Sequence, residues 1–281
     1  MQAFGRGWLR CGAALVLVIL VGSARPVSAS TALGRNSAMN GYVTHVFREG
    51  GGASMTYYLH VPAGYDPTQR YPLVLLLHGG GESGVATRTL ELNQAVLLSN
   101  AYVSVWTSPA VQAEWPSFIV VPQVTWPNRW VNVPAKHGSY RLADAPDASL
   151  RMAKEIVDAV HTMYAGVDPS RLYITGLSMG GYGVWEAIER WPGYFSAAAP
   201  LAGAGDPSRA AALANLPIWA FQGADDTIVP VSGSLDMIAA IRAAGGHPHF
   251  TEFAGAGHGI WMNAYSSHGF MSWLFAQRAA T

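Results

Sequence analysis

The sequence predicts an α/β fold, a mostly parallel sheet with helices on both faces and no separate lid domain. Three observations carry that expectation. Residues 71–77 and 118–121 are continuous apolar runs without the alternation of a half-exposed strand, as a strand covered on both faces requires. Residues 147–164 set Leu150, Ala153, Ile156, Val157 and Val160 at helical spacing, ahead of another short apolar run at 172–175. From there to the carboxyl end, strand and helix candidates alternate, the order that builds parallel strands joined by helical crossovers.

At the amino terminus, Arg6 and Arg10 precede an apolar run at 13–21, and small residues follow up to Ala29. Residues 1–29 therefore read as a signal peptide cleaved near Ala29, and the chain as secreted or periplasmic. A retained anchor is the alternative, for which the apolar run is short. Removing the segment takes away Cys11, the only cysteine, and three of the 17 basic residues against none of the 17 acidic ones. The remainder is mildly acidic, has no disulfide and must be held by its core, and its length suits one domain. This balance offers no electrostatic attraction for nucleic acid, and no stable membrane association is expected. Residues 30–41 read as a flexible leader and 42–281 as the single domain.

Residues 42–48 and 55–61 read as two strands joined by the turn Glu49-Gly50-Gly51-Gly52-Ala53. A loop at 62–67 leads into the buried run at 71–77, which ends in His78-Gly79-Gly80-Gly81-Glu82. The second buried run ends at Pro122-Gln123. Residues 101–146 are the least regular and hold Trp106, Trp115, Trp126 and Trp130, either as long loops over a site or as plugs of the core. Further strands are expected at 197–201, 216–221 and 249–253, with helices at 182–190, 231–244 and 267–278.

Between the strand at 172–175 and the helix at 182–190 lies Gly176-Leu177-Ser178-Met179-Gly180, a G-x-S-x-G pattern in strand–turn–helix context. A serine lifted to the tip of so sharp a turn needs neighbours without side chains, and the helix that starts beside it turns free N–H groups toward any oxyanion formed there. Such a serine needs an imidazole base, and the imidazole needs a carboxylate to fix its tautomer. In this kind of fold the chain order is serine, acid, histidine. His258, in the glycine-flanked loop Gly255-Ala256-Gly257-His258-Gly259, is the base candidate, because it alone of the nine histidines follows a strand end downstream of an acidic loop. That loop carries adjacent acids, Asp225 and Asp226, which repel too strongly for both to be buried against one imidazole. Asp226 is preferred, with Asp225 as a loop neighbour and Asp206 as the outside alternative. His78 is expected to anchor its own loop, leaving the backbone N–H of Gly80 or Gly81, with that of Met179, to face an oxyanion. No lysine follows the glycines in the pattern that a phosphate-cradling loop requires.

These segments resemble the α/β-hydrolases. More narrowly, the chain is similar to secreted esterases that include feruloyl and acetylxylan esterases, polyhydroxybutyrate depolymerase-like enzymes and phospholipase/carboxylesterase-type chains. The likeness rests on Leu77-His78-Gly79-Gly80-Gly81-Glu82-Ser83-Gly84, Val121-Pro122-Gln123, residues 167–181, the Gly-x-x-Asp-x-x-Val-Pro from Gly223 to Pro230, and Gly257-His258 with Trp261. The resemblance implies an α/β-hydrolase fold with Ser178, Asp226 and His258 as a triad. It also implies Gly80 and Met179 as oxyanion donors, and Trp130 and Trp261 beside the substrate. Gln222 stands where relatives commonly have histidine, a departure expected to affect only loop packing. Ser83 stands where relatives often have a bulky basic residue, a departure expected to bear on leaving-group recognition.

The activity so implied is hydrolysis of carboxylic esters, on a small-molecule or polymer substrate, with no metal and no cofactor. A polyester depolymerase, a prolyl-oligopeptidase-like peptidase and a non-catalytic binding module are the alternatives. The peptidase is disfavoured because those enzymes usually add a propeller or larger amino-terminal domain.

Overall fold

A computed structural model of the chain describes Met1 and residues 39–279. Apart from Met1, the signal-peptide segment with Cys11, and the expected leader as far as residue 38, lie outside the described residues.

Eight strands form one sheet: β1 (Val43–Arg48), β2 (Ser54–His60), β3 (Tyr71–Leu77), β4 (Phe118–Gln123), β5 (Val167–Leu177), β6 (Ala197–Leu201), β7 (Trp219–Gly223) and β8 (His249–Phe253). Their spatial order is β1-β2-β4-β3-β5-β6-β7-β8. The β1–β2 hairpin is antiparallel and β2 meets β4 antiparallel, while every pairing from β4 to β8 is parallel. The α/β expectation therefore holds, and the order is that of an α/β-hydrolase.

Strand periodicity explains why β3 and β4 are apolar throughout. Leu73, Leu75 and Leu77 of β3, with Phe118 and Val120 of β4, enter one core, and Val74, Leu76, Ile119 and Val121 enter the other. The first core is closed by α4 (Ala148–Met163), α5 (Met179–Arg190) and α6 (Val231–Ala243). The second is closed by α1 (Leu90–Leu98), α2 (Ala101–Ser104), α7 (Trp261–Tyr265) and α8 (Phe270–Ala276).

Residues 101–146 are more regular than their composition suggests, since they contain α2, α3 (Pro109–Glu114) and β4. Trp106 is wholly buried edge-on to Tyr265, Phe270 and Phe275, and Trp115 stacks on Phe275 at 5.3 Å. Trp130 is wholly buried too, so of the four tryptophans only Trp126 stands out in solvent, at 69% exposure. The closing helix expected at 267–278 is the shorter α8, which begins only after Gly269, whose left-handed φ of 78° ends the preceding turn; α7 is a separate helix before it.

One buried side chain ties these layers to the loops above them. His78 follows β3 and is fully buried. Val124 donates its N–H to Nε2 at 3.0 Å, so the ring proton sits on Nδ1 and is donated to the Gly79 carbonyl at 2.6 Å. The indole N–H of Trp130 donates to the His78 carbonyl at 2.9 Å. Burial lowers the His78 imidazole to about 4, outweighing the Gly79 carbonyl, which favours the charged ring. Since the folded value lies below the unfolded one of about 6.5, the stability associated with the neutral ring is full above 6.5 and is lost as the pH falls toward 4. Between about pH 7.5 and about pH 5 this residue should cost the fold roughly 2 kcal/mol. Urea denaturation across that range should give a shallower pH dependence for His78→Gln than for the wild type; parallel curves would contradict the assignment.

Candidate active site

Ser178 occupies the corner between β5 and α5 with φ 56° and ψ −117°, a conformation uncommon outside glycine. Two backbone bonds hold it there, Ser178 N–H to the Leu201 carbonyl at 2.9 Å and Tyr182 N–H to the Ser178 carbonyl at 3.1 Å. The flanking glycines are required by close approach of the neighbouring strand. A Cβ on Gly180 would lie 2.0 Å from the Leu77 carbonyl oxygen, and one on Gly176 would lie 2.7 Å from the same atom. No other residue fits either position without moving β3.

His258, on the loop after β8, places Nε2 2.9 Å from the Ser178 hydroxyl oxygen and Nδ1 2.7 Å from Asp226 Oδ2. The Asp226 carboxylate is completely buried and the imidazole is 23% exposed, so the pair is sheltered on the acid's side and open on the serine's. Asp226 Oδ1 accepts from the backbone N–H groups of Ile228 at 2.8 Å and Val229 at 2.9 Å. These donors stabilise the ionised carboxylate, which acts only as an acceptor, so the Nδ1 proton points at the acid and Nε2 is left to accept from Ser178. The acid and histidine loops are bonded to each other, Asp225 N–H to the Ala256 carbonyl at 2.9 Å and Ala224 N–H to the Phe253 carbonyl at 3.1 Å.

The other acids lie elsewhere. Asp225 is exposed beside the loop. Asp206 is buried, but its carboxylate serves Ser208, the Leu142 N–H and Arg141.

Gln222 does more than pack its loop. Its amide donates to Asp226 Oδ2 at 2.9 Å, the oxygen that faces His258, and its own carbonyl accepts from the Ser234 hydroxyl at 2.9 Å. The carboxylate is thus steadied from the strand side by a residue whose signal in the sequence is a polar side chain at the end of a buried strand. Nearby, burial pushes the Tyr182 phenol up to about 12, and the charge of Asp226 acts in the same direction.

A pocket of about 250 Å³ opens at Ser178 and is lined also by Gly80, Ser83, Met179 and the strap from Trp126 to Arg129. Met179 opens α5, so its N–H is one of the donors the helix leaves unpaired. Gly80 begins a 3-10 turn (Gly80–Glu82); Gly81 follows it, exposed and outside the pocket lining. Trp261 is half-buried with its ring edge-on to His258 at 5.0 Å. Trp130 is displaced from its expected role: wholly buried and bonded to the His78 carbonyl, it supports the strap from beneath and offers no surface to a substrate. Among the described residues no group of three or more His, Cys, Asp or Glu side chains is arranged to hold a metal ion, and no helix is long and apolar enough to cross a membrane.

Residues 139–270 match the Dienelactone hydrolase family, a segment that contains Ser178, Asp226 and His258. Among solved structures, a thermostable esterase is 31% identical with a TM-score of 0.75, over 85% of this chain and 64% of its own. A feruloyl esterase module from Clostridium thermocellum is 17% identical, with a TM-score of 0.58 over 85% of this chain and 89% of its own. Porphyromonas gingivalis dipeptidyl peptidase 4 is 15% identical, with a TM-score of 0.61 over 84% of this chain and 35% of its own. This chain therefore spans under two thirds of the esterase and about a third of the peptidase. No curated protein matches it.

The geometry predicts that Ser178 is nucleophilic and that Asp226 sustains it. A fluorophosphonate should modify the protein once, at Ser178, with Asp226→Asn slowing labelling by at least about a hundredfold and Asp225→Asn by less than about threefold. Equal effects of the two substitutions, read by mass spectrometry of the labelled peptide, would contradict the assignment.

Proposed function

We propose that this chain is an exported serine hydrolase of carboxylic esters, acting on small acyl or aryl esters of the feruloyl or acetyl type through an acyl-enzyme. The observation that carries the reading is the position of His258, within hydrogen-bond reach of the Ser178 hydroxyl on one side and the buried Asp226 carboxylate on the other. Its signal-peptide cues support export, and the modest pocket suits a small acyl group. The esterases among the structural neighbours are consistent with this chemistry.

Ser178 Oγ attacks the ester carbonyl carbon as its proton passes to His258 Nε2. The imidazolium is stabilised by Asp226, whose own geometry is held by Gln222 and the Ile228 and Val229 N–H groups. Negative charge gathers on the former carbonyl oxygen, where the backbone N–H groups of Met179 and Gly80 are the donors proposed to receive it. Collapse of the tetrahedral adduct breaks the bond to the alcohol, and His258 returns its proton to the departing alkoxide. Water then enters, gives a proton to the same nitrogen and attacks the acyl carbon; as the bond from that carbon to Ser178 Oγ breaks, Nε2 returns the proton to Oγ, releasing the acid and restoring both residues. The strained backbone at Ser178 keeps the oxygen at the tip of the turn through both halves of the cycle.

With 4-nitrophenyl acetate, rapid mixing should give a burst of nitrophenol approaching one equivalent per enzyme, with an acetyl adduct on Ser178, and both should vanish in Ser178→Ala. Undiminished turnover by Ser178→Ala would remove the basis of the reading.

A further inference from the structure

The pocket at Ser178 has an unusual wall. Residues 125–129 are all exposed, between Val124 at 1% and Trp130 at 0% exposure, so they form a short strap anchored at both ends. Its anchors belong to the glycine loop. Gly84 N–H donates to the Val124 carbonyl at 2.8 Å and Trp126 N–H to the Gly84 carbonyl at 2.8 Å, while Trp130 is bonded to the His78 carbonyl. Asn128 N–H closes a turn onto the Thr125 carbonyl at 3.0 Å, and the Arg129 guanidinium reaches the Val133 carbonyl at 3.3 Å. The Trp126 backbone is therefore fixed to the same loop that supplies Gly80, although its indole is left in water.

Which half of an ester this pocket receives follows from the proton. The leaving oxygen takes its proton from His258 Nε2, so the alcohol half must lie beside that ring. The lining includes Ser178, Gly80 and Met179, but among the described residues neither His258 nor Trp261. It lies away from the base, on the acyl side. Its volume of about 250 Å³ is below the ~300 Å³ at which pockets for drug-sized ligands begin, so it takes one compact group.

A tryptophan exposed at 69% keeps a large apolar π-face in contact with water, and a flat ring laid against it would remove that surface and add a stacking interaction. An acetyl group is too small to cover it. Resting on the esterase reading above, we propose that Trp126 is the specificity-determining residue of the acyl side, the wall against which a planar aromatic acyl group stacks. The strap's backbone bonds to the glycine loop fix the Trp126 main chain at the pocket that Gly80 and Met179 also line.

The test compares ethyl cinnamate, with an aromatic acyl group, ethyl acetate, and phenyl acetate, with an aromatic alcohol. In Trp126→Ala the ratio of kcat/KM for ethyl cinnamate to that for ethyl acetate should fall roughly tenfold, chiefly through KM, and Trp126→Phe should restore most of it. The ratio of phenyl acetate to ethyl acetate should stay within about twofold. An unchanged cinnamate ratio, a loss confined to phenyl acetate, or a wild type that cleaves both acetates but not ethyl cinnamate would each overturn the proposal. A wild type that cleaves none of the three would instead overturn the esterase reading, and this inference with it. Thermal melting of Trp126→Ala at the wild-type temperature would exclude misfolding as the cause of a lost ratio.

Discussion

An imidazole can take a proton from a serine only if its other nitrogen is committed elsewhere, and in this chain that commitment is the bond from His258 to the buried Asp226. The three residues lie far apart in sequence and come together because β5, β7 and β8 run parallel and end at one edge of the sheet. Each contributes through the loop that leaves its carboxyl end, where ligand sites of open α/β sheets are found. Parallel order is thus the condition for bringing the three side chains together, and the apolar strands with helices on both faces are what parallel order requires.

The rigidity of the site comes from buried polar groups that touch no substrate. Gln222 and two backbone N–H groups fix the carboxylate, and Ser234 fixes Gln222. On the opposite side, His78 binds β3, the glycine loop and the strap that begins at Val124 into one unit, and Trp130 closes that unit from below. Each is fully satisfied in the interior, where an unpaired polar group would cost more than its bond returns. Together they hold the surroundings of Ser178 on two independent supports.

Much of this was legible in the sequence because it follows from local constraint. The Gly176 and Gly180 positions announce a crowded turn, the apolar runs announce buried strands, and glycines around His258 announce a loop with room for close approach. The chain order of serine, acid and histidine then points to the acidic loop and His258, and the family resemblance selects Asp226 over Asp225 within that loop. What stayed hidden depends on tertiary neighbours. Helix α1 lacks an apolar stripe, its Leu90 and Leu92 facing water while Leu97 and Leu98 are buried, so periodicity does not reveal it. The tryptophans of residues 101–146 have indistinguishable composition, but packing sends Trp106 and Trp130 inward and leaves Trp126 at the mouth of the pocket. Gln222 looked like a packing substitution because its hydrogen bond spans a turn whose shape the sequence does not specify.

The central claim is that Asp226 sets the proton on the far side of His258 from Ser178. Nitrogen-15 chemical shifts of the His258 imidazole at neutral pH measure this directly, with the signals assigned by their loss in His258→Gln. The account predicts a neutral ring with its proton on Nδ1 in the wild type and in Ser178→Ala, passing to the Nε2 tautomer in Asp226→Asn. A wild-type ring protonated on Nε2, unaffected by Asp226→Asn, would contradict it.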